Sequence, residues 1–400
     1  MWPRVLSSSY PMEAHYFMVP KFALSLIGFY PEQKRSWALL AWSFFNFSIL
    51  TYGCYAEGAY GIQQIPINIG LALDALCPVA SSILSLIKML SVWYYRDEFK
   101  SLIDRIRQLT EEQHSDRKLG YKKSYYTLAT RLTALLLLCG TCTSTSYTVR
   151  HIFENMLRLS HGKVWIYETP FKMNFPDVFL RLPLYPWIYA LVCWHGYITV
   201  ACFVGADGFF LGFCLYLTVL LRSLRDDIKD LLQLECKGIE VEPTVQEEKR
   251  IVREMVKLIN RHNEIADLTE RLSGVMVEIT LAHFVTSSLI IGTSILDMLM
   301  FSGVGIIVYL VYTLAVTTEI FLYCLGGTYI MEACLDLARS TFASHWYGHS
   351  VPVQKMTLLM IARAQRVLVV KIPFFSPSME TLTSILRFTG SIIALAKSVI

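Results

Sequence analysis

Few groupings of residues in this chain have the types and spacing that chemistry needs. Cys139-Gly140-Thr141-Cys142 has the spacing of a dithiol redox pair. Such a pair works only where a charge lowers a thiol pKa and a thiol partner can approach. This one sits in the middle of an apolar run, so helix packing is its expected role. His345 and His349 stand four residues apart, a spacing that can place two imidazoles on one zinc. No Glu follows in the H-E-x-x-H manner, and Trp346, Tyr347 and Gly348 separate the pair, so a solvated loop is expected. Asp74 and Asp207 lie inside apolar runs. A carboxylate there is costly, which marks each as either functional or held by an interhelical hydrogen bond. No glycine-rich phosphate loop, paired catalytic carboxylates or Ser-His-Asp set stands out. Enzyme activity, a metal and a cofactor are therefore not expected.

The elements that must position these residues follow from composition. Of 400 residues, 54% are hydrophobic and only 17% charged, where a soluble chain carries about a quarter charged. A soluble enzyme, a nucleic-acid binder and a secreted disulfide scaffold are excluded on that ground. The apolar residues gather in seven runs, at about 37–54, 67–93, 128–149, 186–221, 274–297, 303–329 and 379–399. Most are long enough to cross a hydrocarbon core of roughly 30 Å. The sole Asn-x-Ser sequon, Asn46-Phe47-Ser48, falls inside the first run, out of reach of glycosylation. Residues 1–36 hold only short apolar patches broken by Pro3, Pro11, Pro20 and Pro31, so no cleavable leader is expected.

Basic residues give a direction. The segments before the first run and after the second, fourth and sixth hold 27 Lys and Arg, against five on the other side. By the positive-inside rule the N-terminus is cytoplasmic and, after seven spans, the C-terminus extracellular. The fold class is an all-α membrane protein of seven transmembrane helices, the reverse orientation of a G-protein-coupled receptor. The fourth run is too long for one crossing and too short for two, so it predicts one helix protruding into water. Val252, Met255, Val256, Ile259, Leu268 and Leu272 predict an amphipathic helix over 248–272. The apolar stretch 356–370, interrupted by Arg363 and Arg366, is expected to pack on it. The chain reads as a single domain over 1–400. Helices 4, 5, 6 and 7 extend into a cytoplasmic anchor built from about 222–273 and 330–378.

The segment Glu319-Ile320-Phe321-Leu322-Tyr323-Cys324-Leu325-Gly326-Gly327 resembles the sixth-span signature of insect odorant receptors. The resemblance continues through Ala338, Phe342 and Trp346, then Leu358 to Gln365, then Phe374, Ser378, Thr381 and Ile385. Glu319 and Thr328 depart from the family's usual Gln and Asn. The resemblance implies a non-selective cation channel gated by an odorant, with four subunits around one pore. It also implies a heteromeric partnership with the odorant receptor co-receptor, whose loop between spans 4 and 5 is much longer than the one here. A tuning subunit is thus expected, in the plasma membrane of olfactory neuron dendrites, binding a small volatile or lipophilic ligand and no nucleic acid.

On the last span, Ser384, Ser391, Ala394 and Ser398 form a small, weakly polar stripe, completed by Thr381 and Phe388. Such a stripe suits a wet pore wall or close helix packing. Arg387, one residue off it, is expected to turn toward a rim. The family's paired aromatics of the sixth span match Tyr309 and Tyr312, one turn apart. Depth alone adds Leu71, Asp74 and Ala75, then Gly140, Thr143 and Tyr147, then Cys193 and Tyr197, with Ser287, as candidates to bind the ligand. The alternatives are a G-protein-coupled receptor and a gustatory receptor of the same channel superfamily. Against the first stand the charge asymmetry, outer loops without cysteine and the missing Asn-Pro-x-x-Tyr. Against the second stands the absence of a Thr-Tyr-x-x-x-x-x-Gln-Phe ending. A transporter is disfavoured by the lack of a repeat.

Overall fold

Backbone groups in hydrocarbon have no water to bond, so an apolar run of this length must satisfy them within its own helix. The computed structural model describes residues 15–111, 115–233, 245–300 and 304–399. Its α-helices are α1 (Met18–Ile27), α2 (Trp37–Gln64), α3 (Ile69–Tyr94), α4 (Arg96–Glu111) and α5 (Asp116–Ser160). They continue as α6 (Tyr185–Leu232), α7 (Val245–Met300), α8 (Val304–Phe342), α9 (Val351–Ala364) and α10 (Met379–Val399). Among the described residues there is no strand beyond the lone bridge of Ile372 and Phe375. Side-chain caps start two of the helices: Ser36 Oγ accepts from the Leu39 N–H, and Asn68 Oδ1 from that of Leu71.

Five helices, α3, α5, α6, α7 and α8, are long and apolar enough to cross a membrane. The first and last expected runs lie on α2, of 28 residues, and α10, of 21. The long fourth run is one helix of 48 residues, α6. Its most apolar window is 89% buried, because α1, α5, α7 and α8 all pack around it. Gly205 and Gly212 let α1 lie close. A Cβ at Gly205 would come 2.3 Å from Leu24, and one at Gly212 2.5 Å from Phe17.

Several elements differ from the sequence reading. The segment after the second run is not a plain loop. Phe99, Leu102, Ile103, Ile106 and Leu109 recur at helical spacing and are buried along α4. In α7, Met255, Leu268 and Leu272 face the core as expected, but Val256 is exposed, since it lies about 100° round the helix from Met255. The last span has no helical extension. α10 begins at Met379, after Pro373 and Pro377, which can neither donate to a helix ladder nor leave the preceding residue helical. The separate helix α9 takes that place, burying Val353, Thr357, Met360, Ile361 and Ala364.

His349 is not in a solvated loop: it is 5% exposed. Its Nε2 faces the Leu232 carbonyl at 3.3 Å and its Nδ1 the Glu248 carboxylate at 3.4 Å. It therefore ties the end of α6 to the start of α7. His345 is exposed, so the two rings do not converge on a metal. Basic residues near this end of the bundle are paired. Lys118 reaches Asp227 at 2.5 Å, Arg271 reaches Glu98 at 2.7 Å, and Arg225 binds Asp336.

Candidate ligand pocket and the last helix

Between α2, α3, α5, α6 and α8 lies a cavity of about 670 Å³ of unfilled space, part of it open to solvent. Pro78 interrupts the α3 ladder on one wall, where Ser81 and Ser82 also stand. α5 offers Gly140, Thr143, Ser144 and Tyr147, α6 His195, Thr199 and Phe203, and α8 Tyr312, Val316 and Glu319. The segment after α5 folds back so that Phe171 also lines the space. Its ring stacks on Tyr147 at 5.0 Å, and Tyr147 meets Tyr312 edge-on at 6.2 Å. The Asn174 N–H donates to the Ala56 carbonyl at 3.0 Å, anchoring that segment to α2.

Of the residues singled out in sequence, Gly140, Thr143, Tyr147 and Tyr312 line this cavity. Tyr312 Oη lies 2.6 Å from Ser81 Oγ and donates to the Cys77 carbonyl at 3.1 Å, which fixes its ring. Tyr309 is turned elsewhere. It donates to Asp74 Oδ1 at 2.5 Å, and Arg150 reaches the same oxygen at 3.4 Å. Asp74 is thus held in an interhelical network beside the cavity. Leu71 and Ala75, on α3, do not line it. Cys193 Sγ accepts from Thr148 at 3.7 Å, and Tyr197 Oη lies 3.1 Å from Thr145; neither lines the cavity. No α7 residue does either, so Ser287 is buried apart from it.

Three lining residues carry polar chemistry, of which only Glu319 stood out in the sequence. Glu57 is fully buried on α2, three residues past the end of the expected run, where it read as loop. Ser82 donates to Glu57 Oε2 at 3.3 Å and lies 3.3 Å from His195 Nε2. His195 Nδ1 is 3.8 Å from Glu57 Oε1. The residue types are those of a hydrolase triad, but the geometry is not. The serine donates to the carboxylate, and the histidine–carboxylate distance exceeds a hydrogen bond. Glu319 is the third, 7% exposed. The signal for Glu57 and His195 was polarity within or beside an apolar run, the same one that marked Asp74.

Beside the cavity, Lys88 on α3 makes a 2.7 Å ion pair with Asp207 on α6, each side chain 1% exposed. Its ammonium lies 3.2 Å from His283 Nδ1 and 3.6 Å from the Phe203 ring centroid. Tyr323 donates to Asp207 at 2.7 Å. Donor atoms of Asp207, His283 and Glu319 come within 4.8 Å of one another, as metal ligands would. Lys88 already supplies the positive charge at two of the three. Cys139 and Cys142 are free thiols on α5, with Cys142 facing outward.

On α10, Leu382, Ile385 and Thr389 turn inward while Ser384, Arg387, Phe388 and Ser391 are exposed. The side chains of Ala394 and Ser398 lie outside the described residues. Ser384, Thr381 and Phe388 border an open groove against Phe284 and Leu289 of α7.

A bundle of long apolar helices around an aromatic-lined pocket is the architecture of a helical membrane protein. The family model described as 7tm odorant receptor matches residues 68–390. The chain is 76% identical to Odorant receptor 24a of Drosophila melanogaster over 400 residues, all of both chains. It is 25% identical to the odorant receptor coreceptor of Aedes aegypti over 148 residues, 35% of this chain and 30% of that one. Its fold matches the insect olfactory receptor OR5 from Machilis hrabei with a TM-score of 0.78 at 16% identity, covering 95% of this chain and 97% of that one. The same receptor in complex with eugenol matches at 0.77, with 14% identity over 96% and 98%. The chain belongs to the insect odorant receptor family: it is an odorant receptor, with several helices apolar and long enough to cross a membrane.

Proposed function

We propose that this chain is the odorant-binding subunit of a heteromeric, odorant-gated, non-selective cation channel. It resides in the plasma membrane of olfactory neuron dendrites and assembles with the odorant receptor co-receptor into a tetramer. The N-terminus faces the cytoplasm, and the residues around 222–273 and 330–378 form the shared anchor. The observation that carries the reading is the aromatic-walled cavity between α2, α3, α5, α6 and α8. An odorant that fits the cavity better in the open than in the closed channel shifts gating by its differential binding, about 1–3 kcal/mol. The exposed Ser384 and Ser391 face of α10 contributes to the pore wall, continued by Ala394 and Ser398. Tyr312 is the central ligand contact, with Gly140, Thr143 and Tyr147 around it.

Replacing Tyr312 by Ala removes an aromatic wall and should raise the half-maximal odorant concentration by about tenfold. Surface labelling verifies that the variant reaches the membrane. Unaltered dose–response curves for every active odorant would remove the cavity from the mechanism.

A further inference from the structure

The cavity carries an imbalance of hydrogen-bonding groups that points to the class of ligand it takes. Glu57 Oε1 and His195 Nδ1 face each other at 3.8 Å, both fully buried atoms, and neither has a hydrogen-bond partner among the described residues. With its own proton donated to Glu57 Oε2, Ser82 Oγ accepts from the N–H on His195 Nε2. The tautomer so fixed leaves Nδ1 as a bare lone pair. At 3.8 Å the neutral carboxyl and this lone pair are too far apart to bond each other, so both stand unsatisfied. Nearby, Ser144 Oγ and Tyr147 Oη also line the cavity and also lack partners. Among the described residues no lysine or arginine lines the space, so no cation of the protein is paired with Glu57 there.

Resting on the assignment of this cavity as the odorant site, we propose that the receptor takes small volatile amines, the nitrogen seated on Glu57. A nitrogen at about 2.9 Å from both acceptors closes a triangle on their 3.8 Å edge. An ammonium has three donors in all, and the partnerless hydroxyls of Ser144 and Tyr147 line the same cavity. The stacked rings of Phe171 and Tyr147 offer π-faces, which attract a desolvated cation. Glu57 is favoured over Glu319 because Glu319 lies in the cluster that Lys88 already serves with positive charge, whereas Glu57 has only Ser82 and neutral His195 beside it. The charge balance closes. A neutral amine enters from the bilayer and takes the carboxyl proton, RNH2 and HOOC–Glu57 becoming RNH3+ and −OOC–Glu57. No net charge is carried into the helices.

The test uses the full chain co-expressed with a co-receptor, probed with benzylamine, benzyl alcohol and toluene, three molecules of similar size and shape. Benzylamine should evoke current at a concentration about tenfold below either neutral probe. In Glu57→Gln the sensitivity ratio of benzylamine to toluene should fall by about tenfold, since a desolvated ion pair becomes a neutral contact. Benzyl alcohol or toluene matching benzylamine, or an unchanged ratio in Glu57→Gln, overturns the proposal. If Glu57→Gln fails to reach the surface, the three-probe comparison on the unaltered chain decides alone. If none of the three opens the channel, the purified chain is melted with and without benzylamine, and absence of a stabilising shift overturns it. A chain gated by other neutral odorants but indifferent to benzylamine refutes the amine while leaving the receptor intact. A chain gated by no odorant refutes the receptor itself.

Discussion

Lys88 shows how much a single buried charge decides. Its ammonium is committed to Asp207 at 2.7 Å, with His283 and the Phe203 ring as further partners. Removing one member of such a pair leaves the other uncompensated, at a cost of about 3–5 kcal/mol. Lys88→Met should therefore lower the melting temperature and surface yield strongly, and Lys88→Met with Asp207→Leu should recover most of the loss. A double variant no better than the single one would mean that Tyr323 and His283, not the ion pair, hold Asp207. At this scale the sequence was only partly legible. Asp74 and Asp207 announced themselves as charges in apolar runs, and both proved to be held by partners from other helices. Which residues those are, Tyr309 with Arg150 in one case and Lys88 with Tyr323 in the other, depends on helix rotation, which one chain's pattern does not encode. Tyr309 and Tyr312 are a turn apart, yet a small difference in angle sends one to Asp74 and the other to the cavity wall.

Elements were more legible where apolar length spoke and less where amphipathic helices lay outside the membrane runs. α6 was foreseen as one long helix because its apolar run passes directly into polar–apolar alternation. α4 carried the same alternation through Phe99, Ile103 and Ile106 but was overlooked among its charges, and α1 was hidden by its short length. Phe171 lies in a segment with no period at all, so its place at the cavity had no local signal. The packing of α7 on α9 makes a prediction of its own. His262 is 1% exposed, and burial, with Arg363 adding to it, pushes its pKa down to about 4. An unfolded histidine titrates near 6.5, so above that pH neither state holds the extra proton and the full contribution to stability is present. As pH falls from there toward 4 the unfolded chain gains a proton that the folded one refuses, and about 2–3 kcal/mol of stability is lost. Melting of the purified protein at neutral and mildly acidic pH should show this slope. His262→Leu should flatten it; a variant with the parent's slope would place the titration elsewhere.

For the whole molecule, the partition of 27 basic residues against five predicts a cytoplasmic N-terminus. Epitope tags on intact cells should be reached at the C-terminus and hidden at the N-terminus, and an accessible N-terminal tag would reverse every span. Family membership accounts for the bundle, and the cavity accounts for a ligand. If α10 lines the proposed pore, its Ser384 and Ser391 face needs a partner to become a conduit, since one chain leaves both residues open. That requirement makes dependence on a second subunit the central claim. It is tested by recording odorant-evoked current from cells expressing this chain with a co-receptor, this chain alone and the co-receptor alone. A cation current that appears only when both are present, with a sensitivity that shifts on Tyr312→Ala, is the expected result. Odorant-evoked current from this chain alone, or none with both present at the surface, would contradict it.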